Sequence, residues 1–410
     1  MEPIILNGYH TLIAATLVLL LGRLLVKKIQ FLQDFNIPEA VAGGLIAAAI
    51  IFALYQWFGL SFQFEKSLQS AFMLVFFSSV GLSADFSRLK QGGFPLVIFL
   101  AVVGVLILVQ NGVGVGLASL LGLDPKIGLI TGSITLTGGH GTGAAWAKVF
   151  ADKYGLQGVM EMAMASATFG LVAGGLIGGP VARRLVNNLK RGKKVASVKK
   201  ADTSDSQYDG ETFEEKDHMR FITASSTIET MALFAACLAF SSIMAAQFSD
   251  LGLPQFVWAL GFGVILRNVL TKVFKFDMFD RAIDVFGNAS LSLFLAMALM
   301  SIKLWELAGL AGPMLIILVV QTIVMILYGY FVTFRIMGKD YDAAILTAGH
   351  CGFGLGATPT AVANMQSVTQ TFGPSHKAFL IVPLVGAFFV DIINLFAITW
   401  FINMLSLIHI

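Results

Sequence analysis

Long apolar runs, separated by short polar stretches, fill almost the whole chain. Each has about 17–28 residues, close to the length that an α-helix needs to cross a bilayer. The runs lie at 9–26, 37–59, 68–84, 94–121, 159–187, 221–248, 254–270, 285–302, 309–336 and 378–404. This pattern predicts an all-α integral membrane protein with ten transmembrane helices in two sets of five.

A polar segment at 190–219 separates the two sets of runs. It is basic at its start and acidic at its end, which is typical of a solvated linker. The linker divides the chain into a first half, 1–189, and a second half, 220–410. We predict that the linker is cytoplasmic, for the charge reasons given below.

Composition then excludes several classes of protein. Hydrophobic residues make up 57% of the 410 residues and charged residues only 12%, whereas soluble domains are about 25% charged. The net charge of +3 gives no indication of nucleic-acid binding, and two cysteines are too few for a disulfide framework. The first ten residues lack the basic start and the cleavage site of a signal peptide, so the first run is predicted to remain as a helix.

Two glycine-rich segments interrupt the apolar pattern, TGGHGTGAA at 137–145 and TAGHCGFGLGATPTA at 347–361. Backbone that is not helical cannot face lipid, because its unpaired polar groups cost several kcal/mol each. We therefore predict that 126–149 and 342–369 form re-entrant hairpins, each with two short helical arms and the glycines at the tip. An arm of about ten residues is roughly 15 Å long, so the tips would reach about the middle of the bilayer.

The two halves resemble each other in sequence. Pro38 corresponds to Pro254, Asp124 to Asp340, and the histidines of TGGH and TAGH correspond to each other, so both are predicted at equivalent tips. Five spans per half is an odd number, so the second copy must enter the membrane with inverted topology.

The basic residues orient this arrangement. With the linker in the cytoplasm and both termini outside, the cytoplasmic side receives all but five of the 27 Lys and Arg residues. Those five are Lys66, Lys126, Lys148, Lys153 and Lys303. This asymmetry agrees with the positive-inside rule.

The hairpin tips carry the candidate chemistry. A helix that restarts at a tip exposes unpaired N–H groups suited to a carboxylate, and the carbonyls that end the preceding arm suit a sodium ion. The candidate substrate-binding residues are Thr137, Gly138, Gly139, His140, Gly141, Thr142, Gly349, His350, Cys351, Gly352, Gly354, Thr358 and Asn394. The candidate sodium-binding residues are Ser133, Thr135, Thr360 and Asp391. The alternative is that the glycines only allow tight packing between helices.

Three side chains each have two interpretations. His140 and His350 either bind substrate or hold their own loops through backbone hydrogen bonds. Asp391 lies inside an apolar run, three residues before Asn394 and on the same helical face. It either binds a cation, sodium or an ammonium group, or acts as a structural acceptor.

The chain resembles the sodium/glutamate symporter family along essentially its whole length. The motifs that carry the resemblance are IPEAVAGG (37–44), SITLTGGHGTGAAWAKVF (133–150), ATFGLVAGGLIGGPVARRL (167–185), GNASLSLFLAMALM (287–300), YDAAILTAGHCGFGLGATPTAVANMQ (341–366) and FGPSHKAFLIVPLVGAFFVDIINL (372–395). The resemblance implies sodium-coupled uptake of glutamate across a bacterial inner membrane. It also implies inverted repeats with re-entrant hairpins, a homodimer and an elevator-type motion. It assigns the substrate site to Gly138–Gly143 and Gly349–Gly356, and less directly to Asp391 and Asn394.

Other functions fit parts of the pattern. A sodium-coupled carrier for another carboxylate, or a sodium/proton antiporter, would use the same helix ends. An intramembrane enzyme is disfavoured because the sequence has no G-x-S-x-G elbow and no aspartate-rich metal motif. A passive channel would differ in needing no sodium gradient.

Overall fold

The computed structural model describes residues 4–35, 37–192, 221–251, 253–301 and 310–408. Almost all of these residues are helical, and the two strands have three residues each, so the predicted all-α class is confirmed. Of the predicted linker at 190–219, only 190–192 are described, at the end of a helix, and the rest lies outside the described residues.

The first half forms eight helices and two short strands. In chain order its elements are β1 (Ile4–Leu6), α1 (Gly8–Lys28), α2 (Gln30–Asp34), α3 (Glu39–Phe58), β2 (Phe62–Phe64), α4 (Lys66–Ser83), α5 (Ser87–Leu120), α6 (Pro125–Leu129), a π-helical segment (Ile130–Ile134), α7 (Gly139–Tyr154) and α8 (Val159–Gly192). The strands pair in parallel, with Ile4 opposite Phe62. Helix α5 is broken near its start at Gly93, which has a positive φ of 59°.

The second half continues in the same manner. Its elements are α9 (Ala224–Gln247), a 3₁₀ turn (Ser249–Leu251), α10 (Gln255–Lys272), α11 (Asp280–Met300), α12 (Ala311–Tyr328), a π-helical segment (Gly329–Thr333), α13 (Phe334–Ile336), α14 (Tyr341–Leu355), α15 (Thr358–Phe372), α16 (His376–Leu384), a π-helical segment (Val385–Phe389) and α17 (Val390–Ile408).

Every predicted apolar run coincides with a helix in the described part of the chain. Eight of these helices are long and apolar enough to cross a membrane: Gly8–Lys28, Glu39–Phe58, Gly93–Leu120, Val159–Leu189, Ala224–Gln247, Asp280–Met300, Ala311–Ile336 and Val390–Leu407. The other two, α4 and α10, have 18 residues each and include polar side chains along their length.

The helices group into two compact units. Among the described residues, unit 1 contains 4–35, 37–64, 89–192, 295–301 and 310–408, and unit 2 contains 65–88, 221–251 and 253–294. Each unit therefore takes segments from both halves of the sequence.

Unit 2 is held by close packing of α4 on α10. A methyl group added at Gly81 would overlap the carbonyl oxygen of Leu260, so glycine is required for this approach. At one end of the pair the buried Arg267 forms ion pairs with Asp280 and with Asp85, the latter at 3.4 Å. A buried cation needs such partners because desolvation is costly.

Unit 1 contains the glycine-rich segments. Helices α1 and α3 pack through glycines, because a methyl group at Gly22 would overlap the Glu39 carbonyl and one at Gly43 would overlap that of Val18. A separate buried core joins α5, α14, α15 and α16, with Phe99, Phe353, Met365 and Val382 among its members. This core includes much of the second segment predicted to form a hairpin, 342–369.

Candidate functional site

Residues 125–154 form the first broken helix. Helix α6 begins where Asp124 Oδ1 accepts a hydrogen bond from the Lys126 N–H at 2.8 Å, with Pro125 in the first turn. The π-helical segment contains Gly132 in a non-helical conformation (φ −105°, ψ −136°). The chain then breaks, and α7 begins at Gly139, whose φ of 67° favours glycine.

Residues 341–372 form the second broken helix, which is more regular. Helix α14 begins where Asp340 Oδ1 accepts from the Ala343 N–H at 2.7 Å. It continues to Leu355, and α15 begins at Thr358 with proline in its first turn. A methyl group at Gly352 would overlap the backbone of Ala361, so the two arms pack closely against each other.

The structure corrects the predicted tips. His140 lies in the first turn of α7, after the break, whereas His350 lies inside α14, five residues before that helix ends. The two histidines are therefore not equivalent, and 349–352 do not form a tip. The breaks lie at Gly138 and Gly356, which are 218 residues apart, whereas the histidines are 210 apart.

The predicted arm length was also wrong for three of the four arms. Helix α7 has 16 residues and α14 and α15 have 15 each, about 22–24 Å at 1.5 Å per residue. Only the first arm of the first broken helix, which includes the π-helical segment, has the expected ten residues or so.

The two breaks lie against each other. Thr137 Oγ1 is 3.3 Å from the carbonyl oxygen of Gly354, and a methyl group at Gly139 would lie 3.7 Å from the carbonyl oxygen of Gly356. The two glycine-rich segments, about 210 residues apart in sequence, thus form one buried site in unit 1.

Two amide side chains on α5 and α12 reinforce this contact. Gln110 accepts a hydrogen bond from Thr137 Oγ1 at 2.7 Å and donates one to the Gly354 carbonyl at 2.7 Å. Gln321 Nε2 donates to the Gln110 carbonyl at 2.7 Å. Gln110 and Gln321 are buried, so each hydrogen bond is shielded from water.

A second polar cluster surrounds Ser133. The Ser133 N–H donates to Asn111 Oδ1 at 3.1 Å, and Asn394 Nδ2 donates to the Ser133 carbonyl at 3.0 Å. Since a backbone N–H only donates and a carbonyl only accepts, these contacts fix the orientation of both amides. The other ends, Asn111 Nδ2 and Asn394 Oδ1, and the hydroxyl Ser133 Oγ are buried with no hydrogen-bond partner among the described residues.

The remaining predicted hydroxyls lie near the same breaks. Thr135 Oγ1 donates to the Ile130 carbonyl at 2.6 Å, and Thr142 packs against Gly138, whose added methyl group would lie 2.7 Å from Thr142 Cβ. Thr360 is buried, and its hydroxyl has no hydrogen-bond partner in the described part of the chain. Thr358 is half-buried at the first residue of α15.

The two histidines have different surroundings. The Thr168 hydroxyl donates to the Met164 carbonyl at 2.8 Å, so the contact of 3.1 Å between His140 Nε2 and Thr168 Oγ1 requires the imidazole to donate. His350 Nδ1 is 2.9 Å from Thr333 Oγ1, and its ring packs on Phe353. The partner of His350 is thus a side chain on another segment, and His350 Nε2 is buried with no hydrogen-bond partner among the described residues. The role of His350 stays a prediction.

Other predicted residues of the second broken helix face protein. A methyl group at Gly349 would lie 2.7 Å from a Val382 methyl carbon, and one at Gly354 would lie 3.1 Å from Met325 Sδ. Cys351 is fully buried, and its sulfur would lie 3.3 Å from a methyl group added at Gly329. These glycines serve close packing, which was the alternative interpretation. Their role as substrate contacts stays a prediction.

Asp391 and Asn394 lie on α17. Asp391 is half-buried and lies one helical turn before Asn394, which is 1% exposed. Because Asn394 contacts Ser133, the carboxylate of Asp391 belongs to the same region of unit 1. Its assignment as a cation ligand stays a prediction.

The sequence interpretation missed the contribution of α5. By sequence, Gln110 and Asn111 in the apolar run 94–121 fit contacts between helices and contacts with a ligand equally well, and Gln321 does not stand out. The available signal was that adjacent amides in an apolar span are costly unless they pair. Which segments they pair with is a tertiary property that their own span does not reveal.

Comparison with known proteins bears on this site. A family model described as sodium/glutamate symporter matches residues 4–374. The sodium/glutamate symporter of Haemophilus influenzae is 56% identical over 390 residues, which cover 95% of each chain. That of Escherichia coli is 55% identical over 391 residues, which cover 95% of this chain and 96% of that protein.

Among solved structures, the sodium proton antiporter MjNhaP1 from Methanocaldococcus jannaschii at pH 8 covers 97% of this chain and 98% of its own, at 13% identity and a TM-score of 0.41. At that TM-score the likeness shows neither a shared fold nor a shared mode of transport. The family model and the two relatives, by contrast, match nearly the full length at high identity. The chain belongs to the sodium/glutamate symporter family.

Proposed function

We propose that this protein imports L-glutamate together with sodium ions across the bacterial inner membrane. One structural observation carries the proposal: two helix breaks meet in a buried polar cluster within an apolar unit. Family membership supports the choice of sodium and glutamate. Such transport changes no covalent bond, so the proposal includes no catalytic residue.

The substrate carboxylates would bind at the restarting helices. Neither α7, with Gly138 before its first residue, nor α15, with Ala357 there, has a side-chain cap on its first N–H groups. These ends carry partial positive charge and suit anions without burying a lysine or arginine. The unpartnered Asn111 Nδ2 is a further donor beside the first break.

Sodium would bind near Ser133. A hard cation prefers oxygen ligands, and the unpartnered oxygens here are Ser133 Oγ and Asn394 Oδ1, with the Asp391 carboxylate one turn away. Thr135 and Thr360 remain candidate ligands, because a hydroxyl that donates a hydrogen bond can still offer a lone pair.

Reciprocal contacts support inverted repeats with re-entrant hairpins. In unit 1, a methyl group at Gly44 would lie 2.5 Å from Leu299 Cβ, and in unit 2 one at Gly81 would overlap the Leu260 carbonyl. Gly44 corresponds to Leu260 and Gly81 to Leu299 at the spacing of 216–218 residues that relates the halves. Each contact is thus the counterpart of the other, as a two-fold related pair of halves requires.

Hydrogen bonds between α5 and α12 follow the same rule. Tyr328 Oη donates to the Val102 carbonyl, and Gln321 Nε2 donates to the Gln110 carbonyl, both at 2.7 Å. A shift of 218 residues converts the first pair into positions 110 and 320, one residue from the second pair.

We keep the N-out, C-out orientation, the homodimer and the elevator-type motion as parts of the proposal. The basic-residue distribution supports the orientation, and the family resemblance suggests the other two.

Purified protein in liposomes tests the proposal. Radiolabelled glutamate should accumulate under an inward sodium gradient, chemically unchanged, and accumulation should cease when a sodium ionophore collapses the gradient. Better transport of glutarate or succinate would favour a carrier for another carboxylate. Sodium/proton exchange without glutamate would favour an antiporter, and uptake without any gradient dependence would favour a channel.

A further inference from the structure

Gln110 lies where α5 crosses both broken helices. Its Oε1 accepts from Thr137 Oγ1 and its Nε2 donates to the Gly354 carbonyl, each at 2.7 Å. The side chain is 1% exposed. One carboxamide therefore joins the break of the first broken helix to the end of α14.

The two ends of this carboxamide cannot be exchanged. The Gly354 carbonyl only accepts, so the amide nitrogen must face it and the amide oxygen must face Thr137. Both hydrogen bonds exist together only while both breaks hold their present positions. A displacement of either broken helix breaks one of these bonds and leaves a buried polar group unpaired, which costs about 1–3 kcal/mol.

The next residue on α5 adds a second connection to the first broken helix. Asn111 Oδ1 accepts from the Ser133 N–H at 3.1 Å. The carbonyl of Gln110 is itself held by Gln321 Nε2. Residues 110 and 111 thus contact the first broken helix beside the proposed sodium ligands and the second broken helix at Gly354.

We propose that Gln110 is the positioning residue that couples sodium binding at the first broken helix to the part of the glutamate site formed by the second, at the start of α15. The inference rests on the proposed function. Sodium at Ser133 would fix the position of the first break, and Gln110 would transmit that position to Gly354 and the start of α15. Coupling between two ligands is reciprocal, so glutamate must raise sodium affinity by the same factor.

The test compares wild type with Gln110→Met, which keeps the length of the side chain but removes both hydrogen bonds. Glutamate affinity is measured at low and high sodium in detergent, and sodium affinity with and without glutamate. We expect wild type to show coupling of about 5- to 150-fold. We expect Gln110→Met to show less than about 3-fold coupling in both directions, while glutamate affinity at saturating sodium changes little.

Two further variants serve as controls for a loss of coupling that comes only from misfolding. Gln110→Leu removes both hydrogen bonds with an apolar side chain of different shape, so it should also lose coupling. Gln255→Met removes an amide that donates to Ser241 Oγ at 3.3 Å in unit 2, and it should keep wild-type coupling. Thermal melting identifies variants that fail to fold.

The outcomes separate the inference about Gln110 from the proposed function. Wild-type coupling in a folded Gln110→Met or Gln110→Leu variant would overturn the role of Gln110 and leave the proposed site intact. If wild-type glutamate affinity itself did not depend on sodium, the proposed function would fail first. A simple structural role for Gln110 would lower the melting temperature without changing the coupling factor, and that result would also refute the inference.

Discussion

The two broken helices of unit 1 reach the same point by different local chemistry. The first has a short α6 and a π-helical segment, and its second helix, α7, begins at Gly139. Two asparagines from other helices bind the backbone N–H and the backbone carbonyl of Ser133. The second has two regular arms of 15 residues. Its arms pack through Gly352 against Ala361.

This difference indicates that the two broken helices have different roles in ion binding and in stability. The unpartnered buried atoms Asn111 Nδ2, Ser133 Oγ and Asn394 Oδ1 belong to or contact the first broken helix. The second contributes the hydroxyl of Thr360 and the imidazole Nε2 of His350, which are also buried with no hydrogen-bond partner in the described part of the chain, and the carbonyl of Gly354. We therefore expect ion chemistry to depend mainly on the first and structural integrity mainly on the second.

The largest expected effect is that of Asp391→Asn. Removing the carboxylate beside Asn394 removes the full negative charge proposed to bind sodium, and charged groups at membrane depth are functional by default. Sodium-driven glutamate uptake in liposomes should fall at least ~100-fold, equivalent to about 2.7 kcal/mol.

The matched control is Asp342→Asn, in the first turn of α14. Ser375 Oγ donates to Asp342 Oδ1 at 2.7 Å, and an asparagine oxygen can still accept this bond. Uptake by this variant should stay within about 2-fold of wild type. If uptake by Asp391→Asn equalled uptake by Asp342→Asn, Asp391 would have no role in the mechanism.

A middle-sized effect separates Asn394, which contacts the first broken helix from α17, from Asn364, which lies within the second broken helix on α15. Asn394→Ala removes an unpartnered oxygen and a bond to Ser133, so the sodium concentration for half-maximal uptake should rise about tenfold, or 1.4 kcal/mol. Asn364 donates to the Gly174 carbonyl at 2.9 Å. Asn364→Ala should lower the free energy of unfolding by about 1–3 kcal/mol and leave sodium dependence unchanged.

Uptake titrated against sodium, together with thermal melting of both proteins, checks this pair. Equal shifts in sodium dependence would mean that both broken helices contribute to the ion site. The division of roles between them would then be wrong.

The smallest effect concerns backbone strain at the first break. Gly139 and Gly155 have φ values of 67° and 66°, and neither has an atom within 3.4 Å of an added methyl group. Alanine at either position should cost about 1–2 kcal/mol of unfolding free energy because of the left-handed conformation. Only Gly139→Ala, at the start of α7, should also weaken glutamate binding, by a few-fold.

Isothermal titration of glutamate at saturating sodium checks this prediction, with Gly155→Ala as the strain control. Equal glutamate affinity in the two variants would indicate that the start of α7 does not contact the substrate.

The sequence by itself determined the framework. Apolar runs of sufficient length predicted every long helix, because a lipid environment leaves few alternatives for a backbone. Glycine-rich, weakly polar segments predicted that the helix would break near 137 and again between 347 and 361. Asp124 and Asp340 were matched by sequence as corresponding positions, and the structure shows that each accepts a hydrogen bond from the first turn of its broken helix.

Only the tertiary structure decided where the second break falls. Glycine permits a break without requiring one, and the glycines at 349, 352 and 354 lie within a helix. They leave room for Val382, Ala361 and Met325, which pack where side chains would be. The pairing of Gln110 with Thr137 and Gly354 likewise depends on segments far apart in sequence. Local sequence states which groups need partners, but only the packed fold brings those partners within hydrogen-bonding distance.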